Sequence, residues 1–304
     1  MAVIGVDLGG TKVSAALFAR SGEMILKEYR LLEGASGAAA GAVVLEVVKA
    51  LRERRPDLPV EAIGVCVPGI VYSRKGTVWA PNIPGWDNYS LKGELEAALD
   101  DPAIRIAIES DRTCYILGEV WKGAARGCTD AIYLAVGTGI GAGILLDGRV
   151  IHGANDIVGA TGWMALESPW REEFGPVGCF EYYASGNGIG HQAQLLYGDP
   201  SKSSYDVFAG YGKDAIATQI LDKAIQLWGM GTANLVSLFN PQKVIFGGGV
   251  FGPATAYIER IYAEACRWGQ PISMRDVRFC AAETGGDAAL LGAAFLAIRE
   301  TEKQ

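Results

Sequence analysis

The sequence predicts an α/β protein made of two lobes that share one duplicated plan. Strand-like apolar runs alternate with segments of helical spacing, which is typical of helices packed on mixed sheets. Glycines gather at the ends of the strand-like runs, and a strand–turn–strand segment near the start of the chain recurs in its middle. With 304 residues, 50% hydrophobic and 20% charged, the chain is long and apolar enough to bury a sizeable core.

The first third of the chain reads as strands followed by a helix. Runs of β-branched and aliphatic residues predict strands at 3–8, 13–19, 24–30, 62–67 and 104–108. Residues 38–55 carry apolar residues at helical spacing and precede Pro56, where a helix has to end.

The repeated segment is the strongest sign of duplication. Residues 3–17 form a strand, a Gly/Thr turn and a second strand, and residues 131–146 repeat that order. Asp7 of the first copy has no acidic counterpart, since Ala135 or Val136 stands there. The repeat predicts two lobes, with two ordinary hairpins of one sheet as the alternative.

The second half begins with a loop-rich stretch. Residues 152–190 contain Pro169, Pro176 and many glycines, and long irregular segments of this kind are often functional. A long helix at 215–238, a strand at 243–246 and a closing helix at 287–299 follow. We therefore predict a small N-terminal lobe at 1–111, with the closing helix 287–304 packed back on it, and a large lobe at 112–286.

Composition excludes several classes of function. The 27 basic and 34 acidic residues leave a net charge of −7, so we expect no nucleic-acid partner and no attraction to anionic membranes. The apolar runs are too short for a membrane span and no leader pattern opens the chain, so we expect a cytoplasmic protein.

The six cysteines form no Cys-x-x-Cys pair, so we expect them to be mostly reduced residues of the core. Only His152 and His191 are histidines, which leaves a carboxylate as the better candidate for a base.

Three glycine loops at strand ends could hold phosphate. Backbone amides without side-chain bulk can approach an anion, and a Thr hydroxyl or Lys ammonium adds donors. The residues are Gly9, Gly10, Thr11 and Lys12, then Thr138 and Gly139 within 137–141, then Gly247, Gly248 and Gly249. Plain turns are the alternative. The third loop also matches a dinucleotide fingerprint formally, but the acidic residue required at the end of the next strand is missing.

Four motifs, in this order, carry a resemblance: Asp7-Leu-Gly-Gly-Thr-Lys12, Val136-Gly-Thr-Gly-Ile-Gly-Ala-Gly143, Gly178-Cys-Phe-Glu-Tyr-Tyr-Ala-Ser-Gly186 and Val244-Ile-Phe-Gly-Gly-Gly-Val250. Over residues 3–298 they closely resemble the ROK family (repressors, open reading frames, kinases) of sugar kinases. The resemblance implies the two-lobed actin-like ATPase (ribonuclease H-like) fold, with mixed sheets flanked by helices. It also implies ATP with Mg²⁺ on the larger lobe, a sugar between the lobes, and a homodimer.

The resemblance also implies roles for single residues. Asp7 resembles the carboxylate near the metal and the phosphates, and the three glycine loops resemble those that contact ATP. Asn82, Ser110 and Glu181 stand where the family contacts the sugar, although Asn82 also suits a turn and Glu181 a first helical turn. Asp111 resembles the family's general base, a role compatible with a position at a helix start.

One family motif is lost in this chain. The family's Gly-Glu-x-Gly-His, whose Glu and His contact sugar and whose His also binds zinc, is replaced by Gly159-Ala-Thr-Gly-Trp163. Of the three family cysteines that bind zinc, Cys179 alone remains, and Phe174 offers an apolar plug. Because one thiol cannot complete a tetrahedral site, we predict no zinc. Trp163, Trp170 and Trp86 either line a site for a less polar sugar or fill the zinc region.

These observations predict an ATP-dependent kinase that phosphorylates a primary hydroxyl of a hexose or hexose-like sugar, with Asp111 as base. A first alternative is a kinase for a glycoside, an amino sugar derivative or a cyclitol, because Ala160 and Trp163 replace polar sugar contacts. A second alternative is a sugar sensor without turnover. It would lack a DNA-binding domain, because the first phosphate loop begins near residue 7 and leaves no room before it.

Overall fold

A computed structural model describes residues 2–302, and their contacts divide into two compact units. The first unit contains residues 2–126, His152–Ile157 and 284–302, and the second contains Gly127–Ile151 and Val158–Glu283. The predicted division at 111/112 differs from this one because residues 112–126 lie with the first unit. The predicted bounds at residues 1 and 303–304 lie outside the described residues.

Each unit has one five-stranded mixed sheet. In chain order the strands are β1 (Ala2–Leu8), β2 (Lys12–Ala19), β3 (Met24–Leu31), β4 (Val60–Val67), β5 (Ile70–Tyr72), β6 (Thr77–Trp79), β7 (Arg105–Ser110), β8 (Ala131–Val136), β9 (Ile140–Leu146), β10 (Arg149–Val150), β11 (Lys243–Gly247) and β12 (Arg278–Ala281). The helices are α1 (Gly37–Arg54), α2 (Leu91–Leu99), α3 (Asp111–Lys122), α4 (Cys179–Ala184), α5 (Gly186–Tyr197), α6 (Ser204–Gly210), α7 (Ala215–Phe239), α8 (Ile258–Trp268), α9 (Pro271–Asp276) and α10 (Ala288–Glu302).

The two sheets repeat one strand order. The first runs β3-β2-β1-β4-β7 and the second β10-β9-β8-β11-β12. In both sheets the first three strands are antiparallel and the last two join in parallel. The prediction of a duplicated α/β plan with mixed sheets flanked by helices is therefore confirmed.

Helix α10 lies directly on the first sheet because the facing residues are small. A Cβ built on Gly64 would lie 1.9 Å from the carbonyl oxygen of Ala293, and one on Gly5 2.8 Å from that of Leu290. On its other side α10 meets α3, where a Cβ on Gly292 would lie 1.8 Å from the carbonyl oxygen of Cys114. Backbone contact at this distance leaves no room for a methyl group, so glycine is required there.

The chain passes between the units beside Glu119, a carboxylate on α3 that is fully buried. It accepts hydrogen bonds from the backbone N–H of Ala124 (2.6 Å), the backbone N–H of Thr284 (3.0 Å) and the Thr284 hydroxyl (2.5 Å). Three donors compensate for the burial of the carboxylate. Glu119 thus holds the end of α3 and the start of the returning chain on the first unit.

Two helices of the second unit lie where the sequence analysis expects a loop-rich stretch. The stretch expected to be loop-rich includes α4 and the start of α5, whose glycines disfavour helix in isolation. Packing explains α5, since a Cβ on Gly188 would lie 2.3 Å from the carbonyl oxygen of Glu181 in α4. The hydroxyl of Ser185 also accepts from the backbone N–H of Gly188 (2.9 Å), which caps the helix.

Three further observations concern the whole described chain. No helix within residues 2–302 is both long and apolar enough to cross a bilayer. None of the six cysteines, all of which lie within residues 2–302, forms a disulfide. Cys266 is exposed, so it is an exception to the prediction of core cysteines.

Candidate active site

The candidate site on the first unit lies at the carboxyl edge of three parallel strands. Strands β1, β4 and β7 run in the same direction and end at Leu8, Val67 and Ser110. The loop from Gly9 to Lys12 and the start of α3 at Asp111 leave from this edge. Ligands of α/β proteins bind at such edges, because loops and helix starts present their donors there.

Two carboxylates with raised pKa values lie at this edge. Burial raises the pKa of Asp7 from 3.8 to about 6, and the charge of Asp111 adds to the rise. Burial also raises the pKa of Asp111, although the cation of Arg112 and its backbone N–H, which donates to Oδ1 (2.8 Å), oppose that effect. A carboxylate that retains affinity for a proton is suited to accept one from a hydroxyl.

A buried thiol supports Asp7 from the neighbouring strand. The backbone register pairs Asp7 with Cys66, so both side chains point to the same face of the sheet. The Cys66 thiol forms a side-chain hydrogen bond with Asp7 that lowers the pKa of this carboxyl group. The bond therefore opposes part of the effect of burial and favours the charged form.

The first glycine loop is a tight hairpin turn with open amides. The backbone N–H of Gly9 donates to the carbonyl oxygen of Lys12 (2.9 Å), and Gly10, Thr11 and Lys12 are exposed. A Cβ on Gly10 would lie 3.6 Å from the Cβ of Asn82, itself exposed. Asn82, the candidate contact to the sugar, thus lies beside the candidate phosphate loop.

Ser110 has a structural partner. Its hydroxyl accepts from the backbone N–H of Thr113 (3.3 Å) and caps α3, and only 8% of the residue is exposed. This bond fixes the start of the helix and therefore the position of Asp111.

The two glycine loops of the second unit lie against each other. A Cβ on Gly137 would lie 3.9 Å from the backbone nitrogen of Gly249. The carbonyl oxygen of Gly137 accepts from the backbone N–H of Gly186 at the start of α5 (2.7 Å). Thr138 and Gly249 are exposed. Loop amides beside a helix N-terminus make a cradle that fits a polyphosphate.

Glu181 lies beside the second glycine loop. Its Oε2 accepts from the backbone N–H of Ile140 (2.7 Å), while burial raises the pKa of its carboxyl group. A Cβ on Gly139 or Gly162 would lie 2.6 Å or 2.8 Å from that oxygen. Glu181 is in the first turn of α4, and the glycines on both sides leave space for its carboxylate.

The tryptophans separate into different environments. Trp86 is 1% exposed, and its Nε1–H donates to the carbonyl oxygen of Gly37 (2.9 Å), so it is a core residue and does not line a site. Trp170 is 70% exposed and Trp163 58%. Trp163 and Trp170 are therefore mostly exposed, and the role of Trp163 stays a prediction.

Phe174 occupies the core beside Cys179, and both are buried. The Phe174 ring packs edge-on against Tyr182 (5.4 Å between centroids) and Tyr183 (5.8 Å). Within the described residues no three His, Cys, Asp or Glu side chains are grouped to hold a metal ion. Aromatic packing thus stabilises this region, and the absence of zinc stays a prediction.

A pair that the sequence analysis missed lies near Asp111. Glu109 on β7 is bonded to His152 (Oε1 to Nε2, 2.9 Å). The residues are 43 positions apart, and no local pattern joins them; the one available signal was that His152 is one of two histidines.

The chain matches the ROK family over residues 3–300 and belongs to it. A glucokinase of Halalkalibacterium halodurans is 29% identical over 315 residues, covering 96% of this chain and 94% of that protein. The crystal structure of a ROK hexokinase from Thermus thermophilus aligns with a TM-score of 0.86 and 31% identity, over 99% of both chains. A ROK family glucokinase from Streptomyces griseus, in complex with glucose and AMPPNP, aligns with a TM-score of 0.77 and 28% identity, over 98% of this chain and 100% of that one.

These alignments identify the fold as the actin-like ATPase fold of the ROK kinases, as predicted. Each of the two units of this chain carries part of the residue set that the family motifs indicate. The first unit holds Asp7, the loop from Gly9 to Lys12, Asn82 and Asp111, and the second holds the other two glycine loops, Trp163 and Glu181.

Proposed function

We propose that this ROK-family sugar kinase transfers the γ-phosphate of ATP to a primary hydroxyl of a hexose or hexose-like sugar, with Asp111 as the general base. The observation that carries the proposal is the position of Asp111. It is a half-buried carboxylate of raised pKa at the carboxyl edge of β1, β4 and β7, beside a second carboxylate, Asp7.

Asp111 would orient the acceptor hydroxyl and take its proton. Phosphoryl transfer passes through a loose transition state, so positioning and electrostatic stabilisation supply most of the catalysis. The Ser110 cap and the Arg112 backbone N–H hold the Asp111 carboxylate in place. Its raised pKa brings its proton affinity closer to that needed of a base at neutral pH.

ATP fits the amide cradle of the second unit. Gly137, Gly186 and Gly249 converge there without side chains, and the exposed Thr138 adds a hydroxyl. ATP would supply the transferable phosphoryl group, accompanied by Mg²⁺. On the first unit, Lys12 and the amides of Gly10 and Thr11 would bind phosphate oxygens, with Asp7 near the metal. The glucokinase that aligns in complex with AMPPNP, an analogue of ATP, supports this choice of donor.

The test is ADP release from Mg·ATP with a panel of hexoses, N-acetylhexosamines, β-glucosides and cyclitols. We expect Asp111→Asn to lower kcat by about 10²- to 10⁴-fold without loss of the fold. The control is Glu259→Gln, since Glu259 is an exposed acid in the first turn of α8. An active Asp111→Asn enzyme would disprove the role of Asp111, and ligand binding without turnover by the native protein would favour a sensor.

The second candidate substrate class is a sugar with an apolar substituent. The exposed indole of Trp163 supports it, since Trp163 follows Gly162 in the chain and Gly162 lies against Glu181. An indole offers a flat face for a sugar ring or an aglycone. We expect Trp163→Ala to raise KM for aryl β-glucosides more than KM for glucose. Equal changes for both substrates would exclude this role.

A further inference from the structure

Three side chains form a row across the first sheet. The register pairs Asp7 with Cys66 and Cys66 with Glu109, so the three point to one face, each one residue before the end of β1, β4 or β7. Glu109 is two positions before Asp111 at the same carboxyl edge. A carboxylate outside the family-derived set therefore lies within the candidate site of the first unit.

The Glu109 carboxylate is oriented on one side and open on the other. Its Oε1 accepts from Nε2–H of His152 (2.9 Å), because a carboxylate only accepts and the imidazole must donate. No other hydrogen bond to this carboxylate forms within residues 2–302. The side chain is 21% exposed and that of His152 39%, so Oε2 can accept a hydrogen bond from a ligand.

His152 begins a short segment that belongs to the first unit although its neighbours in sequence do not. At its other end, the carboxylate of Asp156 accepts from the hydroxyl (2.9 Å) and the backbone N–H (3.1 Å) of Ser73. The segment from His152 to Ile157 is thus attached at two points. Ser73→Ala removes the hydroxyl donor of this attachment without touching the His152–Glu109 pair and leaves only the backbone N–H bond to Asp156, which provides a matched control.

We propose that Glu109 binds a hydroxyl group of the acceptor sugar through Oε2, and that His152 is the positioning residue that orients it. Carboxylates with one oxygen fixed and one open suit sugar hydroxyls, which donate readily. Glu109 precedes Asp111 by two residues, so a hydroxyl held by Glu109 aligns the acceptor with the base. The inference rests on the proposed function and adds a specificity-determining residue to it.

The test compares steady-state constants for Glu109→Gln, His152→Ala and the control Ser73→Ala. The acceptor is the one that native enzyme turns over fastest among D-glucose, N-acetyl-D-glucosamine and methyl β-D-glucoside. We expect Glu109→Gln to raise KM for the acceptor about tenfold or more, the usual effect of losing a hydrogen bond to a charged group. KM for ATP stays unchanged.

His152→Ala should raise acceptor KM in the same direction, and His152→Gln, which can still donate to Glu109, should restore part of the affinity. Ser73→Ala should leave KM unchanged. If Ser73→Ala reproduces the effect, or if KM for ATP rises in parallel, the pair only anchors the segment and the inference is wrong. Unchanged acceptor KM in Glu109→Gln also overturns it while leaving the kinase intact, whereas a native enzyme inactive on these three acceptors and on the whole panel of the kinase assay overturns the proposed function.

Discussion

Asp7→Asn is expected to stabilise the protein above pH 6 while removing its activity. Burial raises the pKa of Asp7 from 3.8 to about 6, and one pKa unit corresponds to about 1.36 kcal/mol. Ionising Asp7 in the folded state therefore costs up to about 3 kcal/mol more than in the unfolded chain. Asparagine keeps the shape of the side chain and removes that cost.

The sign of the pH dependence follows from the raised pKa. Between pH 3.8 and about 6 the folded protein binds the Asp7 proton more tightly than the unfolded chain does. The contribution of Asp7 to stability is complete below 3.8, falls as the pH rises through this window, and levels off above 6. In Asp7→Asn this decline is absent.

The assay is urea denaturation of the ligand-free protein in EDTA at pH 5, 6, 7 and 8. The difference in unfolding free energy between Asp7→Asn and the native protein reports on Asp7 together with its repulsion from Asp111, while the contribution of Glu181, whose pKa is also raised, cancels. We expect the variant's advantage to grow from pH 5 to about 6 and then to stay constant at up to about 3 kcal/mol. A pH-independent difference, or a less stable variant at pH 8, would refute the reasoning.

Three further predictions concern stability. Phe174→Ala should lower the free energy of unfolding by about 3–5 kcal/mol, because a buried ring beside Tyr182 is lost. EDTA should leave the melting temperature of the native protein unchanged, whereas a large drop would reveal a structural metal. Glu119→Ala should lower the free energy of unfolding by about 2 kcal/mol or more, because the buried N–H group of Ala124 and the half-buried N–H group of Thr284 lose their acceptor. A loss below about 0.5 kcal/mol in calorimetry would contradict that role.

Local patterns predicted the parts of the fold that local physics determines. The hairpin around Gly9 and the strand that leads to Asp111 follow from alternation, turn residues and short sequence distances. The helix at Gly186 was missed because it depends on close packing against α4, which overrides the low helix propensity of glycine. The sequence could not show that Trp86 is buried whereas Trp163 is exposed, because the burial of a side chain depends on tertiary contacts.

The candidate site shows the same limit. Motif order was sufficient to predict Asp7 and Asp111 as members of one site, and the structure brings their charges together. The pairing of Glu109 with His152 was not predictable, because it depends on a segment that returns to the first unit after a hairpin of the second. The sequence analysis also placed α3 in the large lobe, whereas α3 packs against α10. Sequence patterns could not show this contact, because the two helices are far apart in the chain.

The position of α10 has a consequence for the order in which the units can form during synthesis. The glycine and alanine surface of β1 and β4 is translated before the second unit, yet α10, which covers it, is translated after the second unit. All of the second unit lies between Gly127 and Glu283, so it emerges from the ribosome before α10 exists. Domains tend to fold as units once their residues are available. The first unit therefore begins to form before the second but is completed after it.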